Sequence, residues 1–235
     1  MKRFSSLALV ALAVVSVPLP AMAQLFSMPV YFAPKGGTGF TLSADVGRGA
    51  EGGAEPNTTF AARASLGVAK LTIGAAIGTE NLAATNQNEL MYGGTVAVRI
   101  AGGGLLPIAA SLQGGAAYQS TGVNSSRFRV PIGIGVGLSM PFPAFSFNPW
   151  VAPRISILRT TVSGVSETQR GLGVSGGFEF AFLLGLGIHV GFDWEDPASI
   201  TAGTLPVTAP TTVGFGIHYN FRLPGLPGVP IVPVI

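Results

Sequence analysis

Four arginines, three acids and two histidines stand out because each interrupts an otherwise apolar, alternating stretch: Asp45, Arg63, Arg99, Arg129, Arg154, Glu179, His189, Asp193 and His218. Acid–base chemistry needs a donor and an acceptor within hydrogen-bond reach of one target. His189, with Asp193, Glu195 and Asp196 nearby, is the one local cluster of that type, and no second acidic pair accompanies it. The expectation is therefore no enzyme, no catalytic residue and no metal or cofactor site. Counting across the connections puts Asp45 roughly opposite Arg63 and Glu179 roughly opposite His189, as neutralised pairs would be. The competing chemistry is ion selection. Arg63, Arg99, Arg129 and Arg154 outnumber Asp45, Glu179 and Asp193, and rings of arginine favour anions in a narrow passage.

Other motifs carry less. Gly171, Gly173 and Gly176 satisfy a glycine-rich dinucleotide spacing, but that fingerprint needs a turn and a helix after its strand. Here alternation continues through Phe178, Phe180 and Phe182. There is no nucleophile elbow, zinc-protease helix or phosphate loop. With no cysteine, neither disulfides nor thiolate chemistry are available.

The elements that must carry these charges are strands. Leu184, Leu186, Ile188, Val190, Phe192 and Trp194 alternate with Gly185, Gly187, His189, Gly191 and Asp193. A period of two marks a strand whose faces meet different surroundings. Ten such stretches recur between about residues 38 and 221, each close to the length a tilted strand needs to cross a bilayer. Polar links (49–57, 79–89, 119–126, 159–170, 195–210) alternate with tight or apolar ones near 69–70, 101–107, 140–146 and 183–184. Long loops thus fall on one side of a meander and short turns on the other, the asymmetry of membrane barrels.

Composition agrees. Charged residues are 10% of the chain, against roughly 25% in ordinary soluble domains, yet no apolar run after the leader could span as a helix. A soluble sandwich would present Lys, Glu, Thr and Ser on its outer face. Here the second face is mostly glycine and alanine. Large aromatics gather at both strand ends, with Phe60, Tyr92, Tyr118, Phe128 and Trp194 near the long loops and Phe40, Phe147, Phe182, Tyr219 and Phe221 near the short turns. Two belts match two membrane interfaces.

Residues 1–23 have the form of a cleaved secretory signal peptide: Lys2 and Arg3, an apolar core, then Ala21-Met22-Ala23. Without Lys2 and Arg3 the basic count falls from 13 to 11 against 10 acids, so the near-neutral remainder offers no basis for nucleic-acid binding. Residues 24–37 are expected as a periplasmic lead-in, with an added strand or a lumen plug as alternatives. The expected barrel covers 38–221, and 222–235 form a proline-rich tail.

The last strand ends Gly216-Ile217-His218-Tyr219-Asn220-Phe221. Gly216, Tyr219 and Phe221 resemble the C-terminal assembly signal of bacterial outer-membrane barrels, except that in that family the phenylalanine is terminal. The chain thus resembles the small bacterial outer-membrane β-barrel superfamily. That resemblance implies outer-membrane lipid, the barrel-assembly machinery and periplasmic chaperones as partners. The resulting expectation is an all-β, closed antiparallel transmembrane meander of about ten strands, with eight or twelve as alternatives. It would be structural or a narrow passive pore with slight anion preference; a surface adhesin or receptor acting through its loops is the alternative.

Overall fold

The computed structural model describes residues 25–29, 39–49, 57–82, 87–103, 106–195 and 211–221. The leader (1–23), the tail (222–235) and most of 24–37 lie outside the described residues. The strands are β1 (Gly39–Gly49), β2 (Thr58–Val68), β3 (Leu71–Leu82), β4 (Gln87–Gly102), β5 (Ile108–Ser120), β6 (Ser126–Leu138), β7 (Met140–Pro141), β8 (Phe145–Val162), β9 (Val165–Phe182), β10 (Leu186–Glu195) and β11 (Thr211–Phe221). β7 continues β6 beyond Ser139 and, like β6, pairs with β8. The wall therefore has ten strands. Every neighbour is antiparallel, and β1 meets β11 in register from Phe40↔Phe221 to Gly49↔Thr212, which closes the sheet. Phe221 ends the closing strand although more chain follows it. Closure pairs the backbone without leaving a sheet edge, the condition for strands in an apolar medium.

The wall is inverted relative to a soluble protein. Ile73, Ile77, Val96, Ile132, Ile134, Ile155, Phe192, Phe215 and Ile217 are exposed on the outside. Asp45, Glu80, Arg129, Arg154, Asp193 and several serines are buried inside. An outside of this kind is stable against hydrocarbon, and a polar inside is tolerated only where its groups find partners. Tyr92 faces Tyr118 across β4–β5 with ring centroids 5.3 Å apart, while Phe40 and Phe221 meet at 6.0 Å at the opposite end of the wall.

Three of the expected long loops contract, 79–89 to the four residues between Leu82 and Gln87. β8 and β9 run on as 18-residue strands joined only through Ser163 and Gly164. Ser163 at φ 50 and Gly164 at φ 84 make the left-handed pair that a two-residue hairpin turn requires. The Thr, Val and Ser residues of 159–168 favour strands outside an apolar slab as well as within it, which loop-like polarity concealed. Since about ten residues suffice to cross, this hairpin projects well past the apolar band. The Gln119–Ser126 link likewise contracts to a turn between β5 and β6.

Leu25–Pro29 correct the expectation of a periplasmic lead-in. They form a turn inside the barrel, at the long-loop end, and Leu25, Phe26, Ser27 and Met28 are all buried there. The physical reason is a small-residue wall at that level, Ala61, Ala76 and Ala117 with Met91, which leaves apolar space for them to fill.

Candidate functional site: the lumen and its charge networks

Strands three places apart in a round ten-stranded barrel are separated by about four-fifths of its diameter. Side chains that touch over that separation cross the lumen. Three clusters do so, and together they circle the wall.

The first lies at the long-loop end between β3 and β6. Fully buried Glu80 accepts from Arg127 Nη2 at 2.6 Å, Gln119 Nε2 at 2.7 Å and Asn57 Nδ2 at 3.1 Å, and from the Ser27 hydroxyl. The second joins β6 to β10. Arg154 holds Asp193 through two bonds of 2.5 and 2.7 Å, also donates to Ser175 at 2.5 Å and to Ser156 at 3.3 Å, and stands 3.4 Å from Glu195. Arg129 pairs with Glu195 and lies 3.8 Å from Asp193. The paired fork geometry makes the Arg154–Asp193 contact the strongest type of ion pair.

The third joins β2 to β10. Arg63 Nε and Nη2 donate to Asp45 at 2.6 and 3.0 Å, and His189 Nε2 lies 2.6 Å from the same carboxylate and 3.1 Å from Arg63 Nη2. The Nδ1 atoms of His189 and His218 are 3.1 Å apart, and their rings stack at 23°. With His189 Nε2–H donating to Asp45, its Nδ1 is placed to accept a hydrogen bond from His218 Nδ1–H.

The sequence-derived positions fall out unevenly. Asp45 and Arg63 meet diagonally, since Ser43 is the residue registered with Arg63. Glu179 and His189 are registered partners, but the contact Glu179 makes is with Asn148 Nδ2, at 3.1 Å. Arg99 sits at the short-turn rim, its Nη2 3.4 Å from the Ala69 carbonyl, away from the three clusters. Glu80 and Glu195 fall within the expected polar links and Arg127 just past one, and simple continuation of the period finds all three. Ile77 and Thr79 point one way and Glu80 the other; Phe128 leaves Arg127 and Arg129 on one face; Trp194 leaves Asp193 and Glu195 on one face. With these included, Arg63, Arg127, Arg129 and Arg154 face Asp45, Glu80, Glu179, Asp193 and Glu195. The arginine excess behind the expected anion preference disappears.

Several inward glycines make room for charged or histidine side chains of the wall. A Cβ on Gly216 would overlap Asp45 Oδ1 and His189 Nε2, and one on Gly187 would overlap the His218 ring. Gly216 therefore has a packing role in addition to its place in the terminal motif. Among the described residues no group of three or more His, Cys, Asp or Glu could hold a metal ion.

An apolar outside, a charged and largely paired inside and a closed ten-strand antiparallel meander define a small β-barrel of the membrane-spanning kind. No family model matches the chain, and no curated protein does. Among solved structures it is similar to neisserial surface protein A, with 14% identity over 78% of this chain and 98% of that one and a TM-score of 0.38. It is also similar to the translocator domain of the autotransporter NalP from Neisseria meningitidis, with 15% identity over 80% and 91% of the two chains and a TM-score of 0.40. Ail, the attachment invasion locus protein of Yersinia pestis, gives 9% identity over 80% and 99% and a TM-score of 0.32.

Proposed function

We propose that this chain is an exported, integral outer-membrane barrel whose lumen is closed at rest, with a structural role in the envelope. The observation that carries the reading is the set of contacts joining strands three places apart, Glu80–Arg127, Arg129–Glu195 and Arg63–His189, backed by the buried pairs Arg154–Asp193 and Asp45–Arg63 between nearer strands. Buried charges persist only when paired, so these contacts hold the lumen shut and fasten the wall to itself. Leader cleavage after Ala23 is part of the reading. Leu25 is buried inside the barrel, and an apolar leader still attached would have to depart from within the lumen. Outer-membrane lipid, the assembly machinery and periplasmic chaperones are the partners this proposal entails, and no enzymatic step is assigned.

The projecting β8–β9 hairpin favours a second reading, a surface adhesin or receptor. Its exposed tip offers Val165, Arg159, Ser166 and Glu167 beyond the apolar band. Deleting the tip would abolish attachment without unfolding the barrel if that reading holds.

The test is planar-bilayer conductance of residues 24–235, refolded and checked by heat-modifiable gel migration. No sustained steps are expected. Discrete steps with anion preference that shift in Arg63→Ala or Arg154→Ala would overturn the closed barrel in favour of a narrow pore.

A further inference from the structure

We propose that the long-loop third of the lumen is a peptide-binding site, and that its resident ligand is this chain's own segment Leu25–Pro29. The proposal deepens the closed-lumen reading and rests on it.

The segment is held as a ligand is held. It is a turn, with Ser27 at φ 52, and it is registered with none of the strands. Its contacts are instead made by side chains of six different wall strands. The Phe26 ring lies under the Arg127 guanidinium, 4.7 Å from its centroid, a cation–aromatic contact that gains strength where water is excluded. Leu25, Phe26 and Met28 cluster with Met91 and Ala117, flanked by Ala61, Ala76 and Leu158. The Thr59 hydroxyl donates to the Phe26 carbonyl at 3.2 Å, and the Ser27 hydroxyl donates to Glu80.

The wall is shaped to this occupant. A Cβ on Gly47 would stand 2.9 Å from Met28 Cγ and would overlap the Ser27 carbonyl; one on Gly78 would stand 2.6 Å from the Phe60 carbonyl oxygen of the neighbouring strand and 3.0 Å from Leu25 Cδ1. Elsewhere in the lumen Gly173, Gly187 and Gly216 face arginine, histidine or aspartate side chains of the wall and Gly74 faces Thr95. Here two glycines and three alanines face a piece of chain from outside the sheet. The chemistry recognised is a short apolar peptide with an aromatic residue followed by a hydroxyl residue: the ring reads Arg127 and the hydroxyl reads Glu80. Ten Cα-to-Cα steps separate Pro29 from Gly39 at the opposite end of β1, and ten steps can reach roughly 33–36 Å, which suffices to run the height of the barrel. Because no sheet bonds tie the segment down, it can leave while the wall stays intact.

The chain has no cysteine, so single thiols can report on the site. Met28→Cys is labelled with a maleimide in the refolded full-length mature chain in micelles, against Val123→Cys, whose native side is 91% exposed, as the accessible reference. Met28→Cys is expected to react about a hundredfold more slowly, because labelling then waits for local opening. Adding Phe26→Ala should raise its rate about tenfold or more, while Phe26→Tyr should not. If Phe26→Ala fails to give heat-modifiable barrel, Ser27→Ala replaces it. Equal rates for the two thiols, or no acceleration on removing Phe26 or the Ser27 hydroxyl, would overturn the proposal. A barrel that conducts with Met28→Cys protected breaks the closed reading and leaves the site standing. A silent barrel with Met28→Cys freely labelled does the reverse.

Discussion

The two sides of the long-loop mouth are filled by different means. From β6 to β10 the wall's own long side chains, Arg129, Arg154, Asp193 and Glu195, reach one another directly. From β1 to β5 the wall carries Gly47, Ala61, Ala76, Gly78 and Ala117, and Leu25–Pro29 supply the missing volume. The difference teaches that a barrel too wide for small side chains has two ways to exclude water. One is a charge network built into the strands, which cannot leave without unfolding the wall. The other is an added segment, whose contacts can be lost one at a time.

The largest expected effect comes from breaking the built-in side. Arg154→Ala removes both bonds to Asp193 and those to Ser175 and Ser156. Leaving a buried carboxylate without that partner should cost about 3–5 kcal/mol in denaturant unfolding from lipid or micelles. The double change Arg154→Met with Asp193→Leu should restore most of that loss, because replacing both members of a buried pair by apolar groups is often neutral. A double variant as unstable as the single one would show that the pair is not what fastens this side.

Two glycine substitutions then set the sides against each other. Gly216→Ala pushes a methyl into Asp45 and His189, both fixed on strands, and overpacking of that kind should cost about 1–3 kcal/mol. Because the effect arises in the lumen, it should appear in refolding without any assembly machinery. Loss only in cells, with unchanged stability in vitro, would assign Gly216 to recognition of the terminal strand instead. Gly47→Ala pushes a methyl into Ser27 and Met28, where the segment can yield. Its cost in global unfolding should stay below about 1 kcal/mol, with the change appearing as faster labelling at Met28→Cys. If Gly47→Ala destabilises as much as Gly216→Ala, the segment is as much a part of the wall as the strands.

Much of this was legible in residue order. The period of two continues almost without interruption from β1 to β11, and that alone separates Ile73, Ile77, Ile132 and Phe215 outside from Asp45, Arg129, Arg154 and Asp193 inside. Where reading stopped early, it stopped at polarity. Glu80 and Glu195 read as loop residues because strands are expected to end where apolar residues thin out. Strands in a barrel end where turns form, and Ser163-Gly164 lies well beyond the apolar band.

Local alternation therefore decides face, approximate strand number and the side on which the long connections lie, since each depends only on neighbours two residues apart. What the order of residues could not decide was which distant charges meet. Pairings such as Arg154 with Asp193, or Glu80 with Arg127, depend on barrel diameter and stagger, which exist only once β1 and β11 have closed. Inward glycines are the same to the sequence whether they leave space for water, for an arginine or for Met28. Only closure, by bringing strands three places apart within a side chain's reach, decides that Gly216 faces Asp45 and His189 and that Gly47 faces Met28.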